Sequence, residues 1–109
     1  MEVSFDDPRL EAMFESEKKL LRQCGKIRAG KIKIRLHDLR AAETLEDMRS
    51  FPGRCHELVG DLRGHLSLDL DQPYRLLFRP AKDTELGPGG GLNWTKVVDV
   101  VIVSIVDTH

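Results

Sequence analysis

The chain has 109 residues, 40% hydrophobic and 32% charged, with a formal net charge of −1. That is the length of one domain with one core. The composition excludes a disordered chain, and no apolar run approaches the roughly 18 residues that a membrane span needs.

Met1 to Phe5 reads as a short strand, ended by Asp6-Asp7-Pro8. Asp7 fits an N-cap with Pro8 at the first helical position. Leu10, Met13, Phe14, Leu21 and Cys24 then recur at helical spacing as far as Gly25, a C-cap glycine. A second helix follows, with Ile32, Leu36, Leu39 and Ala42 on one stripe and Lys and Arg on the other. Thr44 fits the cap of one more short turn, ended by Phe51-Pro52-Gly53, and an extra strand fits 54–58. Beyond Gly53 the period is two: Leu66, Leu68 and Leu70 go to one face, and His65, Ser67, Asp69 and Asp71 to the other. Gln72-Pro73 makes a turn, and YRLLFRP is the next strand. Residues 81–95 read as a loop with Pro-Gly-Gly-Gly as its flexible tip, and 97–106, apolar on both faces, as a central strand. The layout predicts a single α+β domain over 1–109. Its sheet is antiparallel or mixed, of about four to five strands, with two N-terminal helices packed on it.

Charge is segregated along the chain. Residues 1–17 carry six acids against one base, Arg9; residues 18–40 carry nine bases against one acid, Asp38. A basic block of this kind is either a solvated helix face or a surface for a phosphate backbone or an acidic partner. The opening MEVSFDD lacks a basic stretch followed by an apolar one, so no secretory signal is expected. Cys24 and Cys55 share no CxxC or zinc-ligand spacing, and a reducing, cytoplasmic setting is the expectation. No two of the four histidines share a ligand spacing, so no metal or cofactor is expected.

One combination carries chemistry. Arg75 and Arg79 share a face of their strand, and Asp107 and His109 share a face of the last one. If those strands are neighbours, one sheet face gathers guanidinium, carboxylate and imidazole groups. RNA cleavage needs that set: a 2′-hydroxyl loses a proton, the phosphate is held by cations, and the 5′-oxygen gains a proton.

The stretch from Phe51 to Pro80 resembles the RelE/ParE superfamily of bacterial toxins, and most closely its HigB-type plasmid-maintenance-killer branch. The residues that carry the resemblance are Pro52, Gly53, His56, Leu58, Gly60, Asp61 and Gly64, then Ser67, then Tyr74-Arg75-Leu76-Leu77-Phe78, and the terminal Asp107-Thr108-His109. Gly-Leu-Asn-Trp-Thr-Lys-Val before the last strand is similar to a subgroup of that branch. The resemblance implies a cytoplasmic, ribosome-dependent mRNA endonuclease that works without metal or cofactor and is neutralised by a HigA-like helix-turn-helix antitoxin. It implies His109 and His56 as acid and base, Arg75 as the phosphate holder and Asp107 as the group that orients His109. Lys31, Lys33 and Arg35 of the basic block, with Arg63 and Arg79, are the expected RNA contacts. Val59, Leu62, Asp71 and Thr108 depart from the family pattern. They support a second expectation, a relative that keeps the scaffold and acts through partner contacts, on a gyrase-type target or with its antitoxin.

Overall fold

The computed structural model describes residues 1–82 and 88–107. Glu2–Phe5 form β1, Pro8–Glu15 α1, Glu17–Ala41 α2, His56–Glu57 β2, Leu66–Asp69 β3, Tyr74–Pro80 β4 and Asp99–Asp107 β5. The sheet runs β1-β5-β4-β3-β2, with β1 parallel to β5 and every other pair antiparallel. The expected α+β architecture with a mixed sheet and N-terminal helices is the observed one, and β2 lies within the extra strand foreseen over 54–58. No helix among the described residues is long and apolar enough to cross a membrane.

The helical region is divided more finely than the apolar spacing shows. Ser16 ends α1 in an extended conformation and also caps α2, its side chain accepting from the Lys19 amide at 3.2 Å. Gly25 then breaks α2 with φ 79°, a left-handed value that costs an L-residue strain and glycine little. The stop expected at Gly25 is therefore a kink between two helical pieces.

Ile32, Leu36 and Leu39 of α2 pack with Leu66, Leu68, Leu76, Phe78 and Ile102 of the sheet, all of them buried. Each such side chain contributes about 1.5–3 kcal/mol on burial. The helices thus cover one face of the sheet, and that apolar layer fixes which residues turn to the other.

Arg35 belongs to this interior. It is 7% exposed, and its Nε donates to the Asp69 carbonyl at 2.8 Å. Gly53, with φ 113°, lies against it: a Cβ there would stand 2.8 Å from Arg35 Nε. Gly53 also accepts from the Asp69 amide at 2.8 Å. The expected RNA contact at Arg35 is therefore corrected, because the guanidinium faces the fold and ties the Pro52-Gly53 turn to β3.

Part of the 81–95 loop is anchored. The Glu57 carboxylate accepts from the Leu92 amide at 2.6 Å and from Trp94 Nε1 at 3.0 Å. Trp94 is buried, with the Arg49 guanidinium 3.8 Å from its ring centre. The Leu45 amide reaches the Val97 carbonyl at 2.9 Å, closing the end of the loop onto the helical turn Leu45–Ser50.

Candidate active site

The sheet face turned away from the helices is built row by row by strand pairing. His56 pairs with Ser67, Ser67 with Leu77, and Leu77 with Ser104. Asp69 pairs with Arg75 in the next row, two residues along β3. Because paired residues share a face, His56, Ser67, Asp69, Arg75 and Arg79 all project to this side.

His56 is held by two contacts. Its Nδ1 lies 2.7 Å from the Arg54 carbonyl, which only accepts, so Nδ1 carries the proton. In the neutral ring Nε2 is then the lone-pair nitrogen, and the Ser67 hydroxyl sits 3.4 Å from it. Arg54, at φ 50°, turns the chain so that its carbonyl meets the ring. The result is an imidazole with a fixed tautomer and its basic nitrogen over the sheet.

Asp69 is the hub of the charge around it. Its carboxylate lies 2.5 Å from Arg54 Nε and 3.4 Å from Arg75 Nε. The first contact is a hydrogen bond that raises the pKa of Arg54. The second is an ion pair without hydrogen-bond geometry, and Asp69 Oδ1 is buried with no hydrogen bond among the described residues. Arg75 is therefore the loosely held cation of the set, the one a phosphate can draw away.

The terminal residues are placed differently from their expectation. Phe78 pairs with Ile102 but Leu77 with Ser104, so Val103 is an extra residue in β5. Beyond that bulge the parity of β5 is reversed. Arg75 faces Val106, and Asp107 faces Tyr74, whose ring packs under the Arg28 guanidinium of α2 at 3.4 Å. Asp107 and Arg75 are thus on opposite faces, correcting the shared face expected from plain alternation. His109 and Thr108 lie outside the described residues.

The expected RNA contacts divide between the two layers. Arg79 is on the His56 face, but its Nη2 is 3.4 Å from Asp6 Oδ1. Arg63 is exposed on the turn after Gly60–Leu62 and has no ion pair among the described residues. It borders a cleft of about 380 Å³ lined by Glu57, Leu58, Val59 and Leu92 together with glycines of the two flanking loops. Lys31 and Lys33 are exposed on α2, in the helix layer, and Lys33 Nζ is 2.6 Å from Glu17 Oε1. The helices and sheet thus separate both lysines from His56.

Four residues of this face were not named as site residues from the sequence. Ser67 and Asp69 belong to the alternating polar set of β3, which is the signal that could have found them. His65 belongs to it too: its carbonyl accepts from the Leu58 amide at 2.9 Å, which sets it beside His56 on the same face. Its Nδ1 is buried without a hydrogen-bond partner among the described residues. Arg54 has no sequence signal, since only its left-handed backbone brings it there.

Fold and face together define a class: a small α+β domain with a five-stranded mixed sheet and a His-Arg-Asp cluster on its helix-free side. No family model matches the chain, and no curated protein matches its sequence. In structure the chain is similar to the YoeB–YefM complex from Staphylococcus aureus, with 19% identity and a TM-score of 0.58 over 100% of this chain and 97% of that one. The likeness establishes a RelE-like fold.

Proposed function

We propose that the chain is the toxin of a toxin–antitoxin pair and that it cleaves mRNA at the ribosome on its helix-free sheet face. The observation that carries this is the His56 geometry: a ring with Nδ1–H bound to a carbonyl and its lone-pair Nε2 met by the Ser67 hydroxyl at 3.4 Å, on one face with a displaceable Arg75. The RelE-like fold supports it, as does the presence of the similar chain in a YoeB–YefM complex. The Pro52-to-Gly64 block and the ending Asp107-Thr108-His109 favour the HigB-type branch and a HigA-like antitoxin.

In this mechanism Nε2 of His56 removes the 2′-hydroxyl proton. The 2′-oxygen attacks the adjacent phosphorus, and the bond to the 5′-oxygen breaks, leaving a 2′,3′-cyclic phosphate. Arg75 leaves Asp69 for the non-bridging oxygens, where a planar guanidinium stabilises the growing charge. His109 gives the 5′-oxygen its proton. Asp107, on the face of Tyr74, orients His109 from the chain behind it. Arg63 and the cleft beside it take the neighbouring nucleotide, apolar walls meeting the base and the guanidinium its phosphate.

A second reading, partner binding without cleavage, is favoured by the register that separates Asp107 from Arg75. Primer extension on a translated reporter mRNA, with the protein expressed alone, distinguishes them. New 5′ ends that fall by about 100-fold or more in His56→Ala are expected, the range for loss of a general base. Intact transcripts with the unaltered protein, or unchanged cleavage in His56→Ala, refute the nuclease assignment.

A further inference from the structure

The outer face of α2 beyond Gly25 is built for a partner that the fold itself does not supply. Ile27 and Ile34 are seven residues apart and so lie one above the other on the helix. Ile27 is 72% exposed and Ile34 52% exposed, while Ile32, Leu36 and Leu39 point the opposite way into the core. Gly30 lies between the two isoleucines. A Cβ at Gly30 would meet nothing within 4 Å, so no packing among the described residues asks for glycine there. Yet a glycine inside a helix costs about 0.5–1 kcal/mol relative to alanine. Its effect is to lower the ridge between Ile27 and Ile34 so that another backbone can come close. Gly30 opens onto a groove of about 420 Å³ at the Gly25 break, walled by Leu20, Leu21 and Ala29.

Charge frames this apolar seam. Lys26, Lys33 and Arg40 repeat at seven-residue intervals along one flank, Lys33 already paired with Glu17, Lys31 stands on the other, and Asp38 closes the far end of the seam. Two exposed isoleucines and a bare helix backbone add nothing to phosphate recognition, which needs cations and, for bases, aromatic or planar groups. A second copy of this chain would set one row of cations against another. An amphipathic helix with an aliphatic seam and Asp or Glu along its flanks fits the isoleucines, which it buries, and sets its carboxylates toward Lys26, Lys31 and Arg40.

We propose that this face docks an acidic amphipathic helix of the antitoxin. The site is then separate from the RNA-cleaving face, since α2 and the His56 side lie in different layers. The proposal rests on the toxin assignment made above.

The test uses the full chain and the purified product of the reading frame adjacent to its own, with affinity measured by calorimetry. The variants are Gly30→Leu, which fills the groove, and the pair Ile27→Asp with Ile34→Asp, which places like charge against the acidic helix. Ile27 and Ile34 are exposed and Gly30 is half-buried with open space beyond its Cα, and thermal melts establish that the variants fold. A loss of about 100-fold in affinity is expected for each, the scale for removing a central apolar contact, with mRNA cleavage by the antitoxin-free protein unchanged. Raising salt weakens binding of the unaltered protein, as charged flanks require. Affinity unchanged in both variants overturns the docking face and leaves the toxin assignment standing. Loss of mRNA cleavage with affinity retained assigns the face to RNA and also overturns it, and so does a dimer of the free protein that the variants dissolve. If the unaltered protein binds no adjacent product and cuts no transcript, the toxin assignment itself falls.

Discussion

Replacing Arg35 by Met separates two roles that its position in the basic block leaves confounded. Met keeps most of the aliphatic stem and removes the guanidinium that donates to the Asp69 carbonyl at 2.8 Å. A hydrogen bond from a charged donor contributes about 1.5–3 kcal/mol. Arg35 is 7% exposed, so little of that is recovered from water. The packing of Gly53 on the Arg35 stem is largely retained, and the net expectation is about 2–3 kcal/mol of destabilisation. In a domain of this size that lowers the melting temperature by about 8–20 °C. Urea unfolding is the direct assay: the midpoint shifts while the slope against denaturant stays constant. Arg63→Met is the control, since Arg63 is exposed and its replacement should change stability by less than about 0.5 kcal/mol. A loss below about 0.5 kcal/mol in Arg35→Met, accompanied by weaker RNA binding, would refute the assignment of Arg35 to the interior.

Two further perturbations test the loop and the thiols. Glu57→Ala removes the acceptor for the Leu92 amide and the Trp94 indole, and about 2–4 kcal/mol of stability should go with it. Trp94 fluorescence should shift to the red, whereas Glu57→Gln, which keeps one acceptor oxygen, should retain most of both; equal effects in the two variants would refute the anchoring role. Burial pushes the Cys55 thiol up to about 12 from 9.0, and burial raises Cys24 as well. The folded chain keeps a proton that the unfolded chain releases, so the stabilisation is complete below pH 9 and is lost as pH climbs from 9 toward 12, at up to about 1.4 kcal/mol per unit. Unfolding curves between pH 8 and 10 should show that decline, and Cys55→Ala should make it shallower; an identical slope in the variant would exclude Cys55 as its source.

The sequence was most legible where one physical rule acted alone. Alternation in the stretch from His65 to Asp71 placed Leu66 and Leu68 inside and Ser67 and Asp69 on the opposite face, because a two-residue period follows from the geometry of an extended chain. The polar break at Asp7-Pro8 and the glycine at 25 marked helix boundaries through capping and backbone freedom, although Ser16, which serves two helices at once, gave no comparable sign. Legibility ended where a single residue changed parity. Nothing in VVIVSIVD marks Val103 as the extra residue, and that slip moves Asp107 away from Arg75. Arg35 was misplaced for a related reason: a base among nine bases carries no mark of burial, and only the contact with Asp69 and Gly53 reveals it. The partner of His56 was equally hidden, since it is a backbone carbonyl presented by Arg54 in a left-handed conformation.

The sheet order has a consequence for when this protein comes into being. β5 lies between β1 and β4, so the first strand of the chain finds its hydrogen-bonding neighbour only in residues 99–102. A growing chain can form its helices and the hairpin of β3 and β4, but β1 and the outer edge of β4 wait for β5. Until β5 is made, the sheet has neither its full width nor the strand beside Arg75. The order of the strands thereby makes the face that carries Arg75 depend on β5 for its completion.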